Sequence, residues 1–577
     1  MAKQSYLKMM MRTTVAALLI AAMVAPAPLL AATPNDNQPD LQMATRIREE
    51  GFHHSKVMEI ESELTDRLGP RLSGSSNLKK ANEWTRDTLS SYGLLNAHLE
   101  GYDFGRGWAL DSVSVRMTAP NVAQLVALPK AWTPSTPGTI KGEVVQMKAT
   151  TVEELDAYKG KLAGKIVLLG TMRDIAPQSE ALLKRYDEAK LKDIENYDVP
   201  NPAFRDPTGR VFTREDLAKR FQFQRAMDKF FNDEKPAVTI EASRGQSGVV
   251  FVQGTQAYRP GAPDGVPQLV MAVENYGRIY RLLERKLPVE LEINVQSHFE
   301  SPDAGKIFNT VAEIPGTDKK DELVMVGGHL DSWHAGTGAT DNAAGCAVAM
   351  EAVRILQRLG VKPRRTIRIA LWSGEEEGLL GSRAYAAEHF GKREEGKPNP
   401  AEAAIPSYMR EPQNLPLHLL PEQTKVSAYF NVDNGTGKLR GIYTQENSAV
   451  VPIFAAWGAP FKDLGFTTIT NRNTGGTDHL SFDAVGIPGF QFIQDPVEYE
   501  SLTHHSNMDV YERIQREDMM QAAVIEAAFL YDAAMRDEMM PRKAFPVDTK
   551  IVKDGETAPP ADQKVPEKKA KDKKAKD

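Results

Sequence analysis

The chain has 577 residues, enough at roughly 150 residues per domain for three or four folding units. Hydrophobic residues make up 41% and charged residues 26%, which excludes a mostly disordered chain, a collagen-like fibre and a multi-span membrane protein. With 71 Lys+Arg against 77 Asp+Glu the net charge is -6, without the basic surplus of a nucleic-acid binder, and the single Cys346 excludes an intramolecular disulfide.

At the N-terminus Lys3, Lys8 and Arg12 precede an apolar run, Thr14 to Ala25, followed by small residues to Ala32. A basic segment, a short apolar segment and a small-residue exit predict a signal peptide over 1–32. Pro26 and Pro28 interrupt the run, which falls short of the roughly 20 residues a membrane span needs. The expectation is a secreted or periplasmic protein with no stable membrane anchor.

Residues 33–121 read as helical and then stranded. Ala81 to Leu89 has helical spacing of apolar residues, and Val113 to Met117 alternates as a half-buried strand does. Residues 122–285 hold short strands between Pro/Gly turns: Gly142 to Met147, Gly164 to Gly170 and Gly248 to Val252. Inside that region a charged stretch, 178–235, reads as helix or loop. From 286 to 545 strands and helices alternate. Leu323 to Val326, Thr366 to Trp372 and Ser427 to Val432 read as buried strands, and Asn342 to Gly360 as a helix with one apolar face. Such units build a largely parallel α/β sheet. The stretch 391–425, rich in Pro, Glu and Lys, reads as a lid or an exposed loop. Residues 546–577 read as a solvated, disordered tail, because from Asp562 onward it holds seven lysines and four acidic residues.

Residues of metal-ligand type follow each predicted core strand. His329 and Asp331 follow the first, with Asp341 a little further on; Glu375 and Glu376 follow Trp372; Asp433 follows Val432; His504 and His505 follow the strand at Gly489. In an open α/β sheet ligands bind beyond the carboxyl ends of the strands, so these residues converge. So much negative charge in one place calls for cations. Imidazole and carboxylate without thiolate suit zinc, with cobalt or manganese as substitutes. Five plausible ligands, His329, Asp341, Glu376, Asp433 and His505, exceed the need of one tetrahedral ion and fit two ions sharing a carboxylate, about 3.5–4 Å apart. Asp331 is spaced to hold the second imidazole nitrogen of His329. Glu375, pointing away from its neighbour Glu376, is free to act as a general base.

Gly327-Gly-His-Leu-Asp331, Thr340-Asp-Asn-Ala-Ala-Gly345, Ser373-Gly-Glu-Glu-Glu-Gly378, Thr477-Asp-His479 and His505-Ser-Asn-Met-Asp509 resemble the signature series of the co-catalytic zinc exopeptidases. That family includes bacterial leucyl aminopeptidases, glutamate carboxypeptidases and carboxypeptidase Q. The region 122–285 resembles an inserted protease-associated domain, and Arg71 to Ser75 resembles the start of carboxypeptidase Q-like chains. The resemblance implies a three-layer α/β fold with helices on both faces of the sheet, plus a small inserted β-rich domain. It implies two Zn2+ per chain: His329 and Asp433 on one, Glu376 and His505 on the other, Asp341 bridging. It further implies Glu375 as general base, a cis Asp341–Asn342 peptide, and His504 polarising the substrate carbonyl. Asp478 and His479 are implied to lie beside the site.

The expected activity is peptide hydrolysis by an aminopeptidase or dipeptidase, acting on a peptide or dipeptide. The alternatives are a carboxypeptidase, a glutaminyl cyclase and a non-catalytic binding protein. A carboxypeptidase needs a cationic clamp for the terminal carboxylate; Arg472, in a candidate loop, reads more simply as solvated. A homodimer stays open.

Overall fold

The computed structural model describes residues 37–553, apart from 198–203, 206–210, 398, 407–408 and 411–412. The expected signal peptide lies outside the described residues. Among them no helix is long and apolar enough to cross a membrane.

An eight-stranded sheet carries the site. Its order is Leu95–Asp103, Lys306–Ile314, Arg365–Trp372, Lys319–His329, Val426–Asn431, Gly489–Gln494, Leu439–Tyr443 and Thr468–Thr470. The four strands from Arg365–Trp372 to Gly489–Gln494 run parallel, so their carboxyl ends open on one edge. Their side chains are buried almost throughout, as expected of strands covered on both faces. Helices Leu41–His53, Ala344–Arg358 and Arg516–Met535 cover one face, packing Ile47, Ile355, Val524 and Phe529 against Val324, Ile369 and Phe430. Helices Leu380–His389 and His479–Asp483 cover the other, around Trp372, Tyr385, Tyr429 and Phe482. The expected three-layer α/β architecture is present.

A second eight-stranded sheet has its own core of Val115, Leu168, Ile240, Tyr276 and Leu291. It reaches beyond 122–285 on both sides, because Gly107–Ala119 pairs along its length with Glu290–Glu300. Among the described residues Gly248 to Val252, expected as a strand, joins no sheet and pairs in strand fashion through an isolated bridge from Phe251 to Ser506. The charged stretch forms two helices, Glu188–Glu195 and Arg214–Glu234, the second opened by a capping box from Thr213 and Asp216. Within 391–425, Gly391–Arg393 and Leu417–Leu419 pair as strands, and Ile551–Lys553 joins them. The chain is therefore ordered through the first residues of the span expected as a tail: Val552 is buried against this small sheet. Residues 554–577 lie outside the description.

Candidate metal centre

His329, Glu376 and Asp433 sit at or just past the ends of parallel strands, and Asp341 and His505 lie further along the loops that follow such strands. His329 closes its strand; Glu375 and Glu376 lie in the turn after Trp372; Asp433 follows Val426–Asn431 by two residues. Asp341 stands in the tight turn Ala339–Ala343 before the helix Ala344–Arg358, and the Asp341–Asn342 peptide is cis as expected. His505 follows the turn Tyr499–Thr503 with a positive φ of 63°.

His329 Nε2 lies 3.2 Å from Asp341 Oδ1 and 3.4 Å from Asp433 Oδ1. His505 Nε2 lies 2.9 Å from Glu376 Oε2 and 3.2 Å from Asp341 Oδ2. Asp341 thus faces both imidazoles, one oxygen to each. His504 borders the second group, its Nε2 3.8 Å from Asp341 Oδ2, with its ring stacked on Tyr499. Glu375 stands further back, its Oε2 4.0 Å from His329 Nε2.

Asp341 Oδ2, Glu376 Oε1 and Asp433 Oδ1 are buried without a hydrogen-bond donor. Stranding buried carboxylate oxygens is costly, and cations between them would remove the cost. The donor set, two imidazoles and three carboxylates, is one that zinc accepts. The electrostatics agree. Burial lowers the His505 pKa, but the Glu376 charge and the contacts with Asp341 and Glu376 outweigh it and raise it to about 10. His329 moves well above its ordinary value in the same way: burial lowers it, and Asp433 and Glu375 reverse that. Burial also drives Glu375 well above the usual carboxylate range, with Asp433 and Asp478 adding to the rise and His329 opposing it.

Asp331 does something other than the expected task. The His329 Nδ1 contact is with the Asp331 main-chain carbonyl, at 3.0 Å, while the carboxylate is 3.7 Å away. That carbonyl accepts the Nδ1 proton and leaves Nε2 free to face the site. The carboxylate instead accepts the N–H groups of Glu375 (3.2 Å) and Glu376 (3.3 Å) and the Ser73 hydroxyl (3.1 Å). It holds the turn that carries Glu375 and Glu376. The turn after Trp372 supplies unpaired N–H groups, which a two-residue spacing from His329 does not reveal.

Three further residues escaped the sequence reasoning. Trp333 donates its indole N–H to Glu376 Oε2 at 2.7 Å. Asp509 accepts the N–H groups of Thr340 (2.6 Å) and Asp341 (3.2 Å), and so fixes the turn that presents Asp341. Arg71, fully buried, donates to the carbonyls of Leu330, Thr337 and Gly338 on the loop between His329 and Asp341. Asp509 and Arg71 stood at the margins of the motifs, but nothing local indicated their targets. Asp478 is buried nearby, and burial raises its pKa to about 7. His479 turns toward Gln445 and the Thr474 carbonyl, outside both donor groups. Arg472 donates to the main-chain carbonyls of Asn196 and Asp193.

Residues 309–530 match peptidase family M28. The matched stretch carries His329, Asp341, Glu376, Asp433 and His505. Carboxypeptidase Q of Mus musculus is 28% identical over 500 residues, 85% of this chain and 88% of that protein. A peptidase M28 precursor from Shewanella amazonensis SB2B shares the fold at a TM-score of 0.61 and 24% identity, covering 87% of this chain and 99% of its own. A zinc aminopeptidase from Bacillus subtilis does so at 0.52 and 18%, covering 83% and 95%. The chain is a metallo-exopeptidase.

Proposed function

We propose that this metallo-exopeptidase is an aminopeptidase or dipeptidase that works with two zinc ions. The observation that carries the reading is Asp341, placed between two imidazoles with one oxygen toward each. His329, Asp433 and Asp341 would hold one ion, and His505, Glu376 and Asp341 the other. Bound there, zinc supplies Lewis acidity toward the peptide carbonyl and acidifies water.

Glu375 acts as the base. As a water oxygen adds to the scissile carbonyl carbon, Glu375 takes a proton from that water; as the C–N bond breaks, it returns the proton to the leaving nitrogen. A buried carboxyl with a raised pKa suits both halves of that transfer. Asp331 keeps the base in place through the N–H groups of Glu375 and Glu376. His504, whose Nε2 lies 3.8 Å from Asp341 Oδ2, would donate to the oxyanion that forms on the carbonyl oxygen. Carboxypeptidase Q, similar over most of this chain, favours a second reading in which the free carboxyl end of the substrate is the recognised one.

We extend the proposal to the rest of the molecule. Residues 1–32 direct export to the periplasm or beyond, and the second sheet is a protease-associated domain.

The test is amino-acid release from leucyl-alanine and its N-acetylated twin, each with and without a chelator. Cleavage of the free peptide alone, lost on chelation and restored by zinc, is expected. Cleavage of the acetylated form as well, or alone, overturns the aminopeptidase reading in favour of a carboxypeptidase. Activity that survives complete chelation overturns the metal mechanism.

A further inference from the structure

The loop that follows Val238–Ala242 in the second sheet is tied to the loop that carries His504 and His505. Val252 donates its N–H to the His505 carbonyl at 3.0 Å, and Asn507 donates its own to the Val250 carbonyl at 3.1 Å. Val250 N–H reaches Asn507 Oδ1 at 2.7 Å, and Phe251 bridges to Ser506. Side chains on this loop therefore keep a fixed position beside the metal cluster.

One of them is Arg244. Its guanidinium lies over the Phe251 ring, 4.4 Å from the centroid, and Nη2 is 3.4 Å from the His504 carbonyl. Arg173 braces the same bend by donating to the Arg244 and Gly245 carbonyls. The side chain is exposed, and among the described residues no carboxylate lies within ion-pair distance of it. Glu500, which lies 3.9 Å from His504 Nδ1, is the acidic group whose field reaches it.

The other arginines around the centre are committed elsewhere: Arg71 and Arg472 to main-chain carbonyls, Arg513 to Glu498. A guanidinium is a planar fork of five donors shaped for a carboxylate, and here a single donor is engaged. Its ring support and braced loop mean that little ordering remains to be done on binding. A single residue, His504, separates Arg244 from Asp341. The C-terminal carboxylate of a dipeptide lies one residue, about 3.3–3.6 Å of extended chain, beyond the scissile bond.

We propose that Arg244 binds the C-terminal carboxylate of the substrate, so that the enzyme takes short peptides with a free C-terminus, dipeptides first. The proposal rests on the peptidase reading above. It assigns the second sheet a direct part in substrate choice.

The experiment compares leucyl-alanine with leucyl-alanine amide on the zinc-loaded full-length enzyme, wild type, Arg244→Ala and Arg244→Lys. A hydrogen-bonded charge pair of this kind is expected to favour the free acid over the amide by about 10- to 100-fold in kcat/KM. In Arg244→Ala that ratio should collapse toward one through a rise in KM for the acid, with Arg244→Lys in between because it keeps the charge and loses the fork. Equal cleavage of acid and amide by the wild type overturns the clamp and leaves the peptidase reading intact. So does an Arg244→Ala variant that keeps the wild-type ratio or loses it through kcat alone. A wild-type enzyme that cleaves neither compound, while holding zinc, overturns both readings.

Discussion

Replacing Asp509 tests whether the turn that presents Asp341 is held from outside the donor groups. Asp509 Oδ1 accepts the Thr340 N–H at 2.6 Å and the Thr340 hydroxyl at 2.8 Å, and Oδ2 accepts the Asp341 N–H at 3.2 Å. The residue is 4% exposed, so water has little access to replace it. A hydrogen bond to a charged group contributes about 1.5–3 kcal/mol net, and a buried donor left unpaired costs about 1–3 kcal/mol. Asp509→Ala removes all three bonds and strands two main-chain donors, which places its cost at about 4–6 kcal/mol. Asp509→Asn keeps an acceptor for Thr340 and turns an amide N–H₂ against the Asp341 N–H, a cost of about 2 kcal/mol. Because Asp341 faces both imidazoles, its displacement should weaken both metal positions together. At 1.4 kcal/mol per tenfold, a cost borne by the zinc-bound state lowers zinc affinity about 30-fold in the Asn variant and about 10³-fold or more in the Ala variant. Zinc competition against a chromogenic chelator reads the affinities, and urea unfolding of the zinc-free proteins reads the stabilities. The reasoning is refuted if either variant loses stability with wild-type zinc affinity, or if Asn and Ala behave alike.

Glu375→Gln should lower kcat by about 10²- to 10⁴-fold while the zinc content of the purified protein stays at the wild-type level; loss of zinc would make Glu375 a ligand and not the base. Chelation should lower the melting temperature, since Asp341, Glu376 and Asp433 then face one another without cations. Zinc at 100 times its Kd should return about 2.7 kcal/mol per site, and an unchanged transition would refute the site. Glu526, in the helix Arg516–Met535, is fully buried with no donor on either oxygen, and burial alone pushes its pKa well above 4.5. The folded protein therefore holds a proton that the unfolded chain releases. The group favours the native state most below pH 4.5, and that contribution is lost as pH rises toward the raised folded value. Glu526→Leu should thus stabilise the protein by about 1–3 kcal/mol at pH 7 and by less at pH 4.5, read from thermal melts at the two values. A pH-independent difference would refute the assignment.

What was legible in the sequence was what each segment determines by itself. A run such as Leu323 to Val326 declares a buried strand, and a donor placed just after it must lie at the sheet's open edge, whatever the rest of the chain does. His329, Glu376, Asp433 and His505 could be read this way one at a time. What was hidden depends on partners far away in the chain. Asp509 acts on Asp341 across 168 residues and Trp333 on Glu376 across 43, and neither bond has a periodicity or a spacing to announce it. Gly248 to Val252 is the sharpest case. Its composition is that of a strand, yet its main-chain groups pair with the His505 loop instead of a sheet neighbour. That choice makes a metal donor's position depend on a segment that composition assigned to a separate insertion. His505 keeps a positive φ, which a non-glycine residue holds only when its surroundings impose it, and Val252 N–H on the His505 carbonyl is one of the bonds that do so. The loop that follows Val238–Ala242 is therefore part of what builds the donor group of His505 and Glu376, and removing it would remove a support of the loop that carries His505.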